Sequence, residues 1–233
     1  MQNFSPLVLN SIPTFKKITT FAFEPAIAKE IVIQTSKGFS VLWLDNDDYP
    51  ENPLETWDGV GRIYTARRHA KIQEHHAMQE ALGLDRDWRV DQDGDQSAHP
   101  DVVKLDCYKH SGETWSVTQT GQNCRFDRSA GAGVWIPDET LFAILQTLPD
   151  SERKEQRIVY ARQACELYNS YLNGDVYALK VAYFDINGLE IEADKDTSVD
   201  VEVSGLFGYK EAVAYLEETA QRIRATLVQK STH

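Results

Sequence analysis

The chain is 233 residues long, 42% hydrophobic and 10% aromatic, a composition that supports a packed core and excludes a disordered or low-complexity protein. A formal net charge of −12 sets it against nucleic-acid phosphates and anionic membranes, and no apolar run reaches the roughly 18–20 residues of a membrane-spanning helix. Its three cysteines, Cys107, Cys124 and Cys165, are widely spaced and odd in number, which fits a reducing cytoplasm rather than a disulfide framework.

Residues 1–28 read as an arm of uncertain order, because Pro6, Pro13 and Pro25 interrupt any long helix. No basic stretch precedes an apolar core there, so no secretory signal is expected. The rest, 29–233, is expected to be one α+β domain, with the neighbourhood of Pro149 as the place where it would divide into two subdomains. Glu30–Thr35 and Phe39–Leu44 are β-branched and aromatic runs separated by Ser36-Lys37-Gly38, the signature of a hairpin. The stretch from Asp45 to Gly61, DNDDYPENPLETWDGVG, breaks all periodicity and reads as an ordered loop. Arg62–Ala66 follows as a short strand. Lys71–Leu82 is a helix candidate closed by Gly83, and Leu84–Pro100 is an acidic, solvated loop.

The central stretch runs from Leu105 to Ile136. It reads as a hairpin turning at His110-Ser111-Gly112, then a glycine-rich connection, then a third strand entered at Val134. Pro137–Leu148 begins a helix with acid in its first turn. Pro149-Asp150-Ser151 opens another, whose Ile158, Ala161, Cys165, Tyr168 and Leu172 recur at helical spacing as one apolar stripe. Val176–Phe184 is a long strand turning at Asn187-Gly188 and returning over Leu189–Ala193. Val199, Val201 and Val203 alternate with Asp200 and Glu202 as a half-buried strand. Gly205–Tyr209 then turns into a last amphipathic helix bearing Val213, Leu216, Ala220, Ile223 and Leu227. The expected architecture is α+β: a mainly antiparallel sheet built from hairpins and flanked by about four helices.

Charge is concentrated rather than spread. Residues 45–101 carry 14 acidic against 6 basic side chains and residues 185–218 carry 10 against 2, whereas 102–184 is nearly balanced at 10 against 9. Such segments serve as solvated faces or as surfaces offered to a basic partner, and Asp91, Asp93, Asp95, Asp200 and Glu202 are the partner-binding candidates. Nucleotide-binding and metalloprotease signatures are missing: the chain has no Walker A loop, no GxGxxG opening a helix, no HExxH and no CxxC.

The weaker constellations each have a plainer reading. Asp45, Asp47 and Asp48 lack cation-ligand spacing. Asp91–Asp95 resembles a calcium loop only until Gln96 stands at the position that needs glycine. His69 and His76 are spaced to share a helix face, where ordinary histidines suffice. Cys107, His110 and Cys124, with His99 as a fourth, would be a zinc set with unpaired spacing. No metal or cofactor is expected. A hydrolytic site would take His110 as base, Ser111 as nucleophile and Asp127 as orienter, although a hairpin tip explains His-Ser-Gly equally well. Arg62, Arg67 and Arg68 are the candidates for nucleic-acid contact, in acidic surroundings that make direct binding unexpected.

Four stretches read together resemble a family of largely uncharacterised proteins encoded by bacteriophages and conjugative plasmids. They are DYPENPLETWDGVGRIYTARR (48–68), YKHSG with FDRSAGAG (within 108–133), ELYNSYLNGDVYA (166–178) and SGLFGY (204–209). Phe126 stands where that family usually has Trp, Arg128 interrupts its Asp-Ser pair, and the last motif lacks its Trp. The resemblance implies a mobile-element origin and a role toward host DNA metabolism or defence. The expected function is therefore a non-enzymatic accessory protein that binds a host protein or defence complex through acidic surface, as an anti-restriction or anti-CRISPR inhibitor. The alternatives are a hydrolase or nuclease-like enzyme at His110/Asp127 and a nucleic-acid accessory factor.

Overall fold

The structure is a computed structural model and describes residues 29–35, 38–65, 101–110, 112–118, 120–121, 127–192 and 203–231. The expectations for residues 1–28, Lys71–Leu82, residues 84–100, Val199 and Val201 fall outside these. In chain order the elements are β1 (Lys29–Gln34), β2 (Gly38–Asn46), α1 (Pro53–Thr56), β3 (Arg62–Thr65), β4 (Val103–Lys109), β5 (Glu113–Val117), β6 (Arg128–Ile136), α2 (Glu139–Gln146), α3 (Asp150–Leu172), β7 (Val176–Asp185), β8 (Glu190–Ile191), β9 (Val203–Phe207) and α4 (Tyr209–Ser231). All strand pairings among the described residues are antiparallel. The fold is α+β with four helices among the described residues. It has two sheets where the sequence suggested one.

The chain divides into two compact units, Met1–Pro50 with Gly174–His233, and Glu51–Asn173. Pro149 lies inside the second unit, between α2 and α3.

The first unit is built on the sheet β1-β2-β7, with β8 and β9 both paired to β7. β2 pairs with β7 along its whole length, from Gly38 opposite Asp185 to Asn46 opposite Tyr177. Ile33, Leu42, Leu44 and Leu179 alternate onto one face of this sheet, where α4 covers them with Ala212, Leu216, Ala220 and Ile223. That stripe agrees with the periodicity of the last helix. Each leucine so buried stabilises the unit by about 1.5–3 kcal/mol relative to exposure. Residues 205–207, expected as a turn, continue β9. A bulge falls between Tyr177 and Leu179, and Gly205 takes φ +71° on the bulged strand.

The second unit is built on the sheet β3-β6-β4-β5. Val103, Leu105 and Cys107 of β4, Trp115 and Val117 of β5, and Trp135 of β6 face a core completed by Leu54, Leu141, Ala161, Ala164 and Cys165. The stripe read on α3 is corrected here: Ala161, Ala164 and Cys165 are buried, whereas Ile158 and Leu172 are exposed. Small side chains in the middle of the helix share the core with the bulky Trp115. Asn169 adds a second tie. Its Oδ1 accepts from Trp115 N at 2.7 Å and its Nδ2 donates to Trp115 O at 2.8 Å, so one amide satisfies both main-chain groups of an edge-strand residue.

The third strand also starts earlier than Val134. β6 begins at Arg128, and the glycine-rich connection is its bulged first half: Leu105 pairs with Gly133, but Cys107 pairs with Ser129. Asp106, 3% exposed, organises the bulge. Its Oδ2 accepts from Arg128 Nε at 2.9 Å and Nη2 at 2.6 Å, and its Oδ1 accepts from Gly131 N at 3.0 Å and Thr118 Oγ1 at 3.1 Å. Gly131 takes φ +58° there, a conformation that side-chain-bearing residues disfavour.

Candidate functional site

His110 ends the first arm of the β4–β5 hairpin, and Asp127 immediately precedes β6. The β4–β6 pairing brings them together. Lys109 N donates to Asp127 O at 2.9 Å, and His110 Nδ1 lies 3.3 Å from Asp127 Oδ2. A carboxylate at that distance can orient an imidazole. The His110 side chain is 69% exposed, so water screens the pair. Ser111, the third member of the hydrolytic constellation, lies outside the described residues.

The zinc set is not brought together by its described members. Cys107 is fully buried in the core of the second unit, whereas His110 stands in solvent; Cys124 and His99 lie outside the described residues. Cys165 is buried as well. Desolvation, then the charge of Glu166, pushes its thiol up to about 12, which leaves it an inert core residue at neutral pH.

The loop aspartates have structural partners. Asp45 Oδ2 accepts from Lys180 Nζ at 2.6 Å, and Asp47 Oδ2 accepts from Gly205 N at 3.0 Å. Of the arginine trio, Arg62 Nη1 donates to Trp57 O at 3.1 Å and Gly61 O at 3.0 Å. Its guanidinium thus closes the preceding loop, and Arg67 and Arg68 lie outside the described residues. So do the five acidic partner-binding candidates, Asp91, Asp93, Asp95, Asp200 and Glu202.

The stretch expected as a loop holds a one-turn helix, α1, and an anchored segment after it. Asn52, Pro53 and Glu55 are the cap, first and third positions of α1. Asn52 Oδ1 accepts from Leu54 N at 3.1 Å, and Asn52 Nδ2 donates to Glu55 Oε1 at 3.0 Å. Asn-Pro-x-Glu is a cap followed by proline and acid, a signal legible in the sequence had the loop been searched for one turn of helix. Beyond α1 the chain is held by the β6–α2 junction. Asp138 caps α2 by accepting from Leu141 N at 2.9 Å, and its other oxygen accepts from Gly59, Val60 and Gly61 N at 2.8, 3.1 and 2.9 Å. Trp135 Nε1 donates to Val60 O at 3.0 Å. Desolvation raises the Asp138 carboxyl, but the four main-chain donors outweigh it and hold the group below its ordinary range.

On this fixed backbone Glu51, Glu55 and Asp58 are exposed, and Trp57 retains 40% of its surface. No lysine or arginine occurs between 45 and 61. Beside the segment lies a cleft of about 370 Å³ lined by Asn52, Leu54, Glu55, β3 and Tyr168. The segment therefore carries a partly exposed indole and three exposed carboxylates within eight residues, with the Arg62 guanidinium bonded to the Trp57 carbonyl, and its acidic side chains suit a cationic partner surface.

No protein-family model, no curated protein and no solved structure matches the chain. No helix among the described residues is long and apolar enough to cross a membrane.

Proposed function

We propose that the chain is a mobile-element accessory protein that binds a host protein through acidic surface, in its most concrete form an inhibitor of a restriction or CRISPR complex. The observation that supports this reading best is the anchored segment 51–61. There Trp57, Glu51, Glu55 and Asp58 stand on a backbone held by Asn52, Trp135 and Asp138. Because that backbone is already ordered, binding sacrifices little conformational entropy. A partly exposed tryptophan in an acidic segment suits an arginine-rich protein surface, where aromatic and arginine anchors carry most interface energy.

The test measures binding of the purified protein to restriction and CRISPR effector complexes, and phage plating on cells that express it. Two variants accompany it: W57A/E51Q/E55Q/D58N, and one neutralised at Asp91, Asp93, Asp95, Asp200 and Glu202. Native protein binds a complex and relieves restriction, and neutralisation weakens binding tenfold or more. Native protein that binds no such complex and leaves plating unchanged sinks the proposal.

The 3.3 Å approach of His110 to Asp127 favours a second reading, a hydrolase or nuclease-like enzyme that draws on Ser111. H110A and D127N discriminate: under this reading both abolish phage protection while leaving partner binding intact.

A further inference from the structure

The β7–β8 hairpin ends in a feature that the acidic surface does not account for. Ile186, Leu189 and Ile191 retain 62%, 62% and 41% of their surface within six consecutive residues of the first unit. Single exposed aliphatic residues are ordinary, but three on one tip are not. The tip is also rigid. Asp185 Oδ1 accepts from Asn187 N and Leu189 N, both at 2.8 Å, Asp185 N donates to Leu189 O at 2.8 Å, and Gly188 takes the φ of +79° that the turn requires. A locked turn holds the two most exposed side chains out at no further entropic cost.

We infer that this tip is the apolar anchor by which the protein enters a pocket on its protein partner, a pocket lined by apolar side chains and rimmed by lysine or arginine. The inference deepens the binding reading and rests on it. Charge selects the occupant. Asp185, Glu190 and Glu192 flank the three aliphatic residues, and residues 185–218 hold ten acidic against two basic side chains. The Leu189 N–H, foremost among the donors around Asp185, holds that carboxyl below its ordinary range. Two copies meeting tip to tip would juxtapose like charges, and an anionic membrane would repel the same carboxylates. Strand addition is disfavoured too, because β8 is only two residues long. A basic-rimmed apolar pocket satisfies both halves of the tip: the aliphatic residues leave water and the carboxylates gain partners.

The test uses the full chain with Leu189 replaced by the photocrosslinking residue p-benzoylphenylalanine, expressed in cells that carry a restriction or CRISPR system. The crosslinked protein is identified, purified and titrated with native chain, with I186S/L189S and with E190K/E192K. Melting curves that match the native one show that the variants are folded. Expected are a host protein in the crosslink, an affinity loss of roughly 10- to 100-fold for I186S/L189S, as removal of buried anchor residues gives, and slower association for E190K/E192K. Crosslinks only to a second copy or to lipid overturn the inference. So does a partner bound equally well by I186S/L189S, and in that case the acidic-surface reading stands. A native chain that binds no host protein overturns both.

Discussion

At the scale of single residues, carboxylates among the described residues organise main chain. Asp138 is the clearest. One carboxylate caps a helix and gathers three consecutive N–H groups of the Trp57–Gly61 loop. An asparagine could keep the cap, but its NH2 group would face donors on the other side. D138N is therefore expected to lower stability at pH 7 by about 1–2 kcal/mol, a figure at the modest end because water screens a partly exposed carboxylate. The pH dependence follows from linkage. The folded protein holds this carboxyl below its ordinary 3.8, so the stabilisation is fully present above that value and is lost as pH falls through the lower, folded one. Urea midpoints of the native chain and D138N should thus differ at pH 7 and converge in acid. A constant gap down to the lowest pH at which both fold would refute the role given to the charge.

At the scale of elements, the hairpin β1–β2, the strand β7 and the helix α4 were legible because period and turn residues agreed with one another. In the two clearest misreadings a tertiary interaction, a hydrogen bond in one and core packing in the other, overrode the local pattern. Asp106 turns Gly131 and its neighbours into bulged strand rather than connection, and Trp115 selects Ala164 over Ile158 as the buried face of α3. The Asn-Pro-x-Glu cap of α1 was visible but short. Of the candidate site, the sequence named His110 and Asp127, which the fold brings together, but gave no sign that the segment around Trp57 is fixed, because its posture depends on Asp138, some 80 residues away.

The glycines of the anchored loop make the dependence measurable. Gly59 and Gly61 both have positive φ, +79° and +75°. A Cβ on Gly59 meets nothing within 4 Å, whereas one on Gly61 falls 2.5 Å from Trp135 Nε1 and 2.7 Å from Ile136 O. Gly59→Ala should cost about 1 kcal/mol of conformational strain, and Gly61→Ala about 2–4 kcal/mol because the buried indole or the strand must move. Denaturation of the two variants checks the order; equal losses would show that the loop is not seated on Trp135 as described.

At the scale of the whole molecule, the sequence offered no sign that the second unit interrupts the first, because the link between the flanks is long-range pairing. Asn46 lies opposite Tyr177, and Asp47 N donates to Val176 O at 2.9 Å, so the chain leaves β2 and re-enters at β7 on neighbouring strand ends. Neighbouring antiparallel strands stand roughly 5 Å apart, a gap that a few residues span. The two ends are also tied down within their own unit: Gly205 N donates to Asp47 Oδ2 at 3.0 Å, and Gly208 N donates to Asp175 O at 2.9 Å. Among the described residues, the core of that unit, from Ile33 to Ile223, draws none from 51–173. A chain in which 51–173 is replaced by a short Gly-Ser linker should therefore fold, since inserted units whose ends lie close together are the ones tolerated as exchangeable. The expected result is a cooperative thermal transition, with slow amide exchange along β2, β7 and α4. In that shortened chain L216A should accelerate exchange across the whole unit, because Leu216 is fully buried beneath the sheet. A shortened chain that collapses without a cooperative transition would mean that the sheet β1-β2-β7 depends on residues beyond its own core, and that the two units form one folding whole.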